Sequence, residues 1–114
     1  MKILIILNDP AYGTERSYNG LRLAKALAGE EVQLTLFLLA DAVACAKKGQ
    51  NVPQGFYNLE LMLKRVIRQG EVLLCGTCMD ARGISDREIL DGCQRSTMPE
   101  LAQRTIAADK VLVF

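Results

Sequence analysis

Apolar residues along this chain arrive in short unbroken runs separated by amphipathic stretches. Ile3-Leu4-Ile5-Ile6-Leu7 follows Lys2 with no polar alternation, as a strand covered on both faces requires. Val32 to Leu39 is a second such run, Glu71 to Cys75 a third and Lys110 to Phe114 a last one, with a shorter strand predicted over Leu90 to Arg95. Between the second and third runs, Leu59, Met62, Leu63, Val66 and Ile67 recur at the spacing of one helical face. Asn58 stands where an N-cap belongs and Gly70 where the helix must stop.

Other helix signals fill the remaining gaps. Thr14 is placed to cap a helix with Glu15 in its first turn, running to Ala28 and stopped by Gly29. Asp41 is placed to cap a short helix over Ala42 to Lys48, closed by Gly49. Ser85 with Glu88, and Thr97 with Glu100, form two capping boxes. The second opens a helix with Pro99 in its first turn and Leu101, Ala102, Thr105 and Ile106 on its inner side. Strands alternating with helices predict an α/β fold, a three-layer α/β/α sandwich with a mainly parallel sheet of about five strands. The carboxyl ends of such strands share one edge, which here gathers Asn8 to Gly13, Ala40-Asp41, the segment from Cys75 and the region after Arg95.

The length of 114 residues predicts a single domain over 1–114, and half of the residues are apolar, enough for a core without disulfide staples. Lys and Arg number 14 against 13 Asp and Glu, which leaves no basic excess to attract nucleic acid or anionic lipid. The apolar run at the N-terminus is too short for a signal sequence or a membrane span, so the expected location is cytoplasmic. In that reducing compartment Cys45, Cys75, Cys78 and Cys93 are expected as thiols, redox groups or ligands.

Cys75-Gly76-Thr77-Cys78-Met79-Asp80-Ala81-Arg82-Gly83 places two of these thiols in a loop at a strand end. With no histidine in the chain, a Cys-His pair, a Ser-His-Asp triad and any His-containing zinc site are excluded. A thiol here is activated by a cation such as Arg82, by a helix N-terminus or by backbone N–H groups of the turn, with its pKa lowered. Cys75, Cys78 and Arg82 are therefore the catalytic candidates. Gly76, Thr77 and Asp80 in the same loop, and Tyr12, Gly13 and Glu15 at the same sheet edge, are candidates for substrate binding, although Asp80 paired with Arg82 on the surface is an equally simple arrangement. Cys45 and Cys93 are isolated and give the pair no matching ligands, so no metal site and no cofactor are expected. A thioredoxin-like dithiol competes, but that motif opens a long helix, whereas Asp80 to Gly83 intervene here before the Ser85 cap. A structural role for the cysteines, as small buried hydrophobes, also stays open.

The segments Pro10 to Arg16, Leu21 to Ala24, Phe37 to Val43, Cys75 to Ile84 and Ala108 to Phe114 together resemble the DsrE/DsrF-like family, most closely its YchN-like branch. The resemblance covers the whole chain. It implies a small α/β sandwich assembled into trimers or hexamers, and sulfur handling. In the family's sulfur-relay members a cysteine at this strand end carries sulfane sulfur as a persulfide and hands it to a partner protein. Counting back from Arg82-Gly83-Ile84, the matching position is Cys75. Those members have an alanine-rich loop with a single cysteine, whereas this chain adds Cys78 and Asp80. Two classes of function follow: a sulfur carrier or sulfurtransferase working between donor and acceptor proteins, and a non-catalytic oligomeric binding or redox-sensing module. A dithiol oxidoreductase is the third reading.

Overall fold

Unbroken apolar runs do become strands in the computed structural model, which describes residues 1–114. The strands are β1 (Lys2–Leu7), β2 (Gln33–Leu38), β3 (Glu71–Cys75), β4 (Cys93–Ser96) and β5 (Lys110–Val113), with helices α1 (Arg16–Ala28), α2 (Leu59–Gln69), α3 (Gly76–Ala81) and α4 (Met98–Ala107). All five strands are parallel, in the order β4-β3-β2-β1-β5. Every carboxyl end therefore lies on one edge of the sheet.

Register separates the two faces. Leu4, Thr35 and Glu71 are partners across β1, β2 and β3, and Arg104 of α4 donates to both carboxylate oxygens of Glu71, so α4 covers their face. Leu7 has the opposite parity, and Gly20 of α1 approaches it so closely that a Cβ there would lie 2.3 Å from Leu7 Cδ2. Hence α1, with α2 packed beside it, covers the other face, the arrangement that right-handed crossovers impose when the chain turns back from β4 to β5. The core is one cluster between these layers, with Leu4, Ile5, Leu36, Phe37, Leu63 and Leu74 at or near zero exposure.

Local boundaries depart from the sequence reading at several points. Residue Glu15, not Thr14, occupies the N-cap of α1, while the Thr14 hydroxyl accepts from Arg16 N–H and donates to Asp9. In place of an α-helix over Ala42 to Lys48 there is a 3-10 helix at Ala40–Ala46, with Asp41 inside its first turn and Lys47 at its end. Asn58 caps α2 as expected by accepting from Leu61 N–H, and the Ser85–Glu88 box closes over a short 3-10 turn. Thr97 caps α4, but Glu100 accepts from the Ser96 hydroxyl instead of completing a box. The fourth strand begins at Cys93, later than Leu90, because Leu90 is drawn away to donate to Ala46.

The expected inner side of α4 is only partly realised. Leu101 is buried, whereas Ala102, Thr105 and Ile106 are exposed, Ile106 by 86%. One helix cannot cover a sheet face alone, so Val111 and Val113 on the edge strand β5 are also open to solvent. What holds α4 down besides Leu101 is polar. Arg104 pairs with Glu71 at 2.7 Å, and Thr35 also donates to that carboxylate. The Arg104 guanidinium holds the Glu71 carboxyl below its ordinary pKa, against the opposing effect of burial. A depressed folded-state pKa stabilises above the unfolded value and is lost as pH falls through the folded one. Glu71→Gln is thus expected to cost about 1 kcal/mol at neutral pH, given the partial exposure of both partners, and nothing in strong acid. Urea melts across that pH range check it, and an equal cost in acid would contradict it.

Candidate functional site

Strand β3 ends by handing its last residue to a helix. Cys75 is both the end of the strand and the N-cap of α3, where its Sγ accepts from Cys78 N–H at 3.3 Å. The segment read as a loop is therefore a six-residue helix. Met79, fully buried, pins it to the core, and Gly83 at φ 65° turns the chain out of it, a left-handed position that suits glycine. Too short to show a 3.6-residue period, α3 left no helical signature in the sequence.

Neighbouring connections supply the rest of the site. The chain after β4 crosses to the α4 face, while the chain after α3 runs along the opposite side, where Leu90 and Lys48 make backbone bonds with Ala46 and Glu88. Connections that leave adjacent strands for opposite faces part at their carboxyl ends, and Cys75 stands at that parting. By strand parity its side chain lies on the α4 face, with 6% of the residue exposed. Cys78 is half-buried, and its Sγ accepts from Ala40 N–H at 3.2 Å. Both thiols are free.

The charged residues pair differently from the sequence reading. Arg82 is not joined to Asp80. Its Nε donates to Asp41 at 2.8 Å and its Nη1 to the carbonyl oxygen of Cys78 at 3.1 Å. Asp80 instead accepts from Arg95 at 3.0 Å, and Arg95 also donates to Asp86 and to the Gly76 carbonyl. So the expected direct stabilisation of a thiolate by Arg82 is absent; Arg82 positions the backbone that carries Cys78. Arg95 is the residue the sequence reading missed, since its role depends on β4 lying beside β3. Gly76 is required by that proximity, because a Cβ there would sit 3.0 Å from Arg95 Cγ and 3.1 Å from the Ser96 carbonyl oxygen.

The expected fall in the Cys75 pKa is also corrected. Burial and the neighbouring Cys78 side chain raise it, outweighing the backbone N–H groups of Cys78 and Thr77. Burial alone pushes Cys93 up to about 12, and it pushes Cys45, which packs in the core, up to about 11. Thr77 and Asp80 are exposed on α3 beside the pair. Tyr12, Gly13 and Glu15 belong to a separate cluster: Tyr12 donates to Gln50, accepts from Leu59 N–H and stacks on Tyr57, Gly13 lies against Pro10, and Glu15 stands at the N-cap position of α1 without a side-chain capping bond. No hydrogen bond connects that cluster to Cys75 or Cys78. The larger cavities lie elsewhere. A cavity of about 500 Å³ lies under α4 at the opposite edge, lined by Lys2, Gln33 and Glu71, and one of about 470 Å³ lies beside Tyr12, Phe56 and Tyr57. The pair thus lies outside both of these cavities, at the carboxyl edge of the sheet.

Comparison with known proteins agrees with this fold. The model of the DsrE/DsrF-like family matches residues 1–114. The protein YchN of Escherichia coli is 47% identical over 116 residues, covering 99% of this chain and 98% of its own. An uncharacterized protein of Methanocaldococcus jannaschii is 36% identical over 115 residues, covering both chains fully. The crystal structure of the E. coli ychN protein superposes with a TM-score of 0.95 at 46% identity, covering 100% of this chain and 99% of its own. A protein of unknown function from Methanobacterium thermoautotrophicum shares the fold at a TM-score of 0.76 and 11% identity, with 99% and 98% coverage.

Proposed function

Because this chain belongs to the DsrE/DsrF-like family, we propose that it is a sulfur-carrier or sulfurtransferase subunit, which accepts sulfane sulfur as a persulfide in the Cys75–Cys78 pair and passes it to a thiol of an acceptor protein. The observation that carries the reading is two free thiols in adjacent positions at a parallel strand end, each sulfur receiving a backbone N–H. A thiolate of the pair attacks the outer sulfur of a donor persulfide, the donor's S–S bond breaks, and the donor leaves as a thiolate. The acceptor thiolate repeats the exchange on the loaded cysteine. Neither step needs a cofactor or a metal.

The half-buried Cys78 at the sheet edge, outside the larger cavities, fits protein donors and acceptors, and the exposed Ile106, Val111 and Val113 support a homo-oligomer, a trimer or hexamer, that covers the bare part of the α4 face. A reducing cytoplasm is the compartment in which such thiols stay free. One observation favours dithiol oxidoreduction as the second reading: the Cys-x-x-Cys does open a helix, with Cys75 at its N-cap.

Reduced protein exposed to polysulfide, or to a cysteine desulfurase with cysteine, separates these readings by intact-mass spectrometry after alkylation. The expected result is gain of one sulfur within residues 75–78, removable by reductant and transferable to an acceptor thiol. Conversion to a disulfide with neither transient sulfur gain nor sulfide release would favour the oxidoreductase, and no change at all would favour a binding module with structural cysteines.

A further inference from the structure

The two thiols of the pair are not equivalent, and the contacts around them rank them. Cys75 lies at 6% exposure beneath the α4 face, and its sulfur is engaged only from within α3, by Cys78 N–H. Cys78 is the more open of the two, and it is held from outside its helix at two points. Ala40 N–H donates to its sulfur, and Asp41 holds Arg82, which donates to its carbonyl oxygen. Ala40 is the one non-glycine residue with a positive φ, 52°, a conformation that alanine adopts only under constraint from its surroundings. That conformation begins the turn at the end of β2 in which Ala40 N–H meets the Cys78 sulfur. The segment Ala40-Asp41 thus converges on Cys78 and makes no hydrogen bond to Cys75.

Resting on the sulfur-carrier reading, we infer that Cys78 is the thiol that takes the sulfur and that Cys75, at the position matching the family's carrier cysteine, is its resolving partner. Cys78 thiolate attacks the outer sulfur of the donor persulfide R–S–SH. The Cys78 S–S bond forms as the donor S–S bond breaks, and R–S⁻ leaves to take a proton from solvent. Ala40 N–H faces the sulfur that bears negative charge before the attack and again when the acceptor thiolate removes the outer sulfur. When no acceptor arrives, Cys75 attacks the inner sulfur, Cys78 Sγ. The Cys75–Cys78 disulfide forms, and the outer sulfur departs as HS⁻ with the proton that Cys75 releases. In that step the two thiols are oxidised by two electrons and the sulfane sulfur is reduced to sulfide; a small-molecule thiol or dithiol reductant then restores the pair.

Fragment-ion mass spectrometry of the polysulfide-treated protein, with sulfide release measured in parallel, tests the assignment. The added sulfur is expected on Cys78. Cys78→Ser is expected to lose at least nine-tenths of the loading, while Cys75→Ser accumulates the persulfide on Cys78 and loses sulfide release. Cys75→Ala, checked for native circular dichroism, replaces Cys75→Ser if the buried hydroxyl prevents folding. Added sulfur on Cys75, or undiminished loading of Cys78→Ser, would overturn the assignment and leave the carrier reading standing. Absence of loading in both the wild type and Cys75→Ser, with no sulfide released, would instead remove the carrier reading itself.

Discussion

Phe37→Ala is expected to destabilise the protein by about 3–5 kcal/mol, the cost of deleting a buried aromatic ring and leaving a partly unfilled space. Phe37 has no exposed surface and pairs in register with Ile6 on one side and Leu73 on the other, at the centre of the face that α4 covers. That face is the thinner of the two layers, since α4 contributes only Leu101 to the core. Little material is available to collapse into the vacated volume, which places the expected cost within the upper range for core truncations. Against a total stability of about 5–15 kcal/mol the variant should unfold at a much lower urea concentration with an unchanged slope. The loss reaches the site as well, because Cys75 lies on the same face one residue pair beyond Leu73. Faster alkylation of Cys75 should accompany the lower midpoint. A cost below about 1 kcal/mol would mean that this face is not packed as described.

Gly76→Ala carries the second large effect, and it acts through space and not through backbone conformation. Its added Cβ would meet Arg95 Cγ at 3.0 Å, Arg95 Nη1 at 3.1 Å and the Ser96 carbonyl oxygen at 3.1 Å. Arg95 can swing away only by releasing Asp80, Asp86 and the Gly76 carbonyl, and the Ser96 carbonyl is fixed in β4. The expected cost is about 1–3 kcal/mol, typical of overpacking. Displacing the start of α3 shifts both sulfurs, so sulfur loading should slow on the order of tenfold or more, as misplaced reacting groups do. Gly29→Ala is the matched control. A Cβ there meets only the Ala26 carbonyl oxygen at 3.6 Å, and its effect should stay within about 0.5 kcal/mol. Equal stability of the two variants would contradict the close approach of β4 to α3.

Much of this fold is visible in local pattern, and the limits of that visibility are physical. The run Lys2 to Leu7 and the stripe Leu59, Met62, Leu63, Val66 describe burial on two faces and on one, and both appear as read. The stripe on α4 does not, because Leu101 and Arg104 are the residues that face the sheet, which turns Ala102 and Ile106 outward. The cysteine position at the strand end was legible from the apolar run that precedes it. The helix that joins Cys75 to Cys78 was not, since its six residues are fixed by a sulfur cap and by buried Met79, neither of which creates a period. Charge pairing was the least legible part. Asp80 and Arg82 are neighbours in sequence, yet each finds its partner on another element, Arg95 within β4 and Asp41 after β2. Such partners emerge only once strand order is known.

The central claim is that the Cys75–Cys78 pair is a reactive site and not core filling, and alkylation kinetics of the native, reduced protein test it most directly. With iodoacetamide at neutral pH and each cysteine followed by peptide mass spectrometry, a thiol of the pair should react far ahead of Cys45 and Cys93, whose burial holds them protonated up to about 11 and about 12. Four uniformly slow cysteines, unreactive until the protein unfolds, would contradict the account and return the pair to the core.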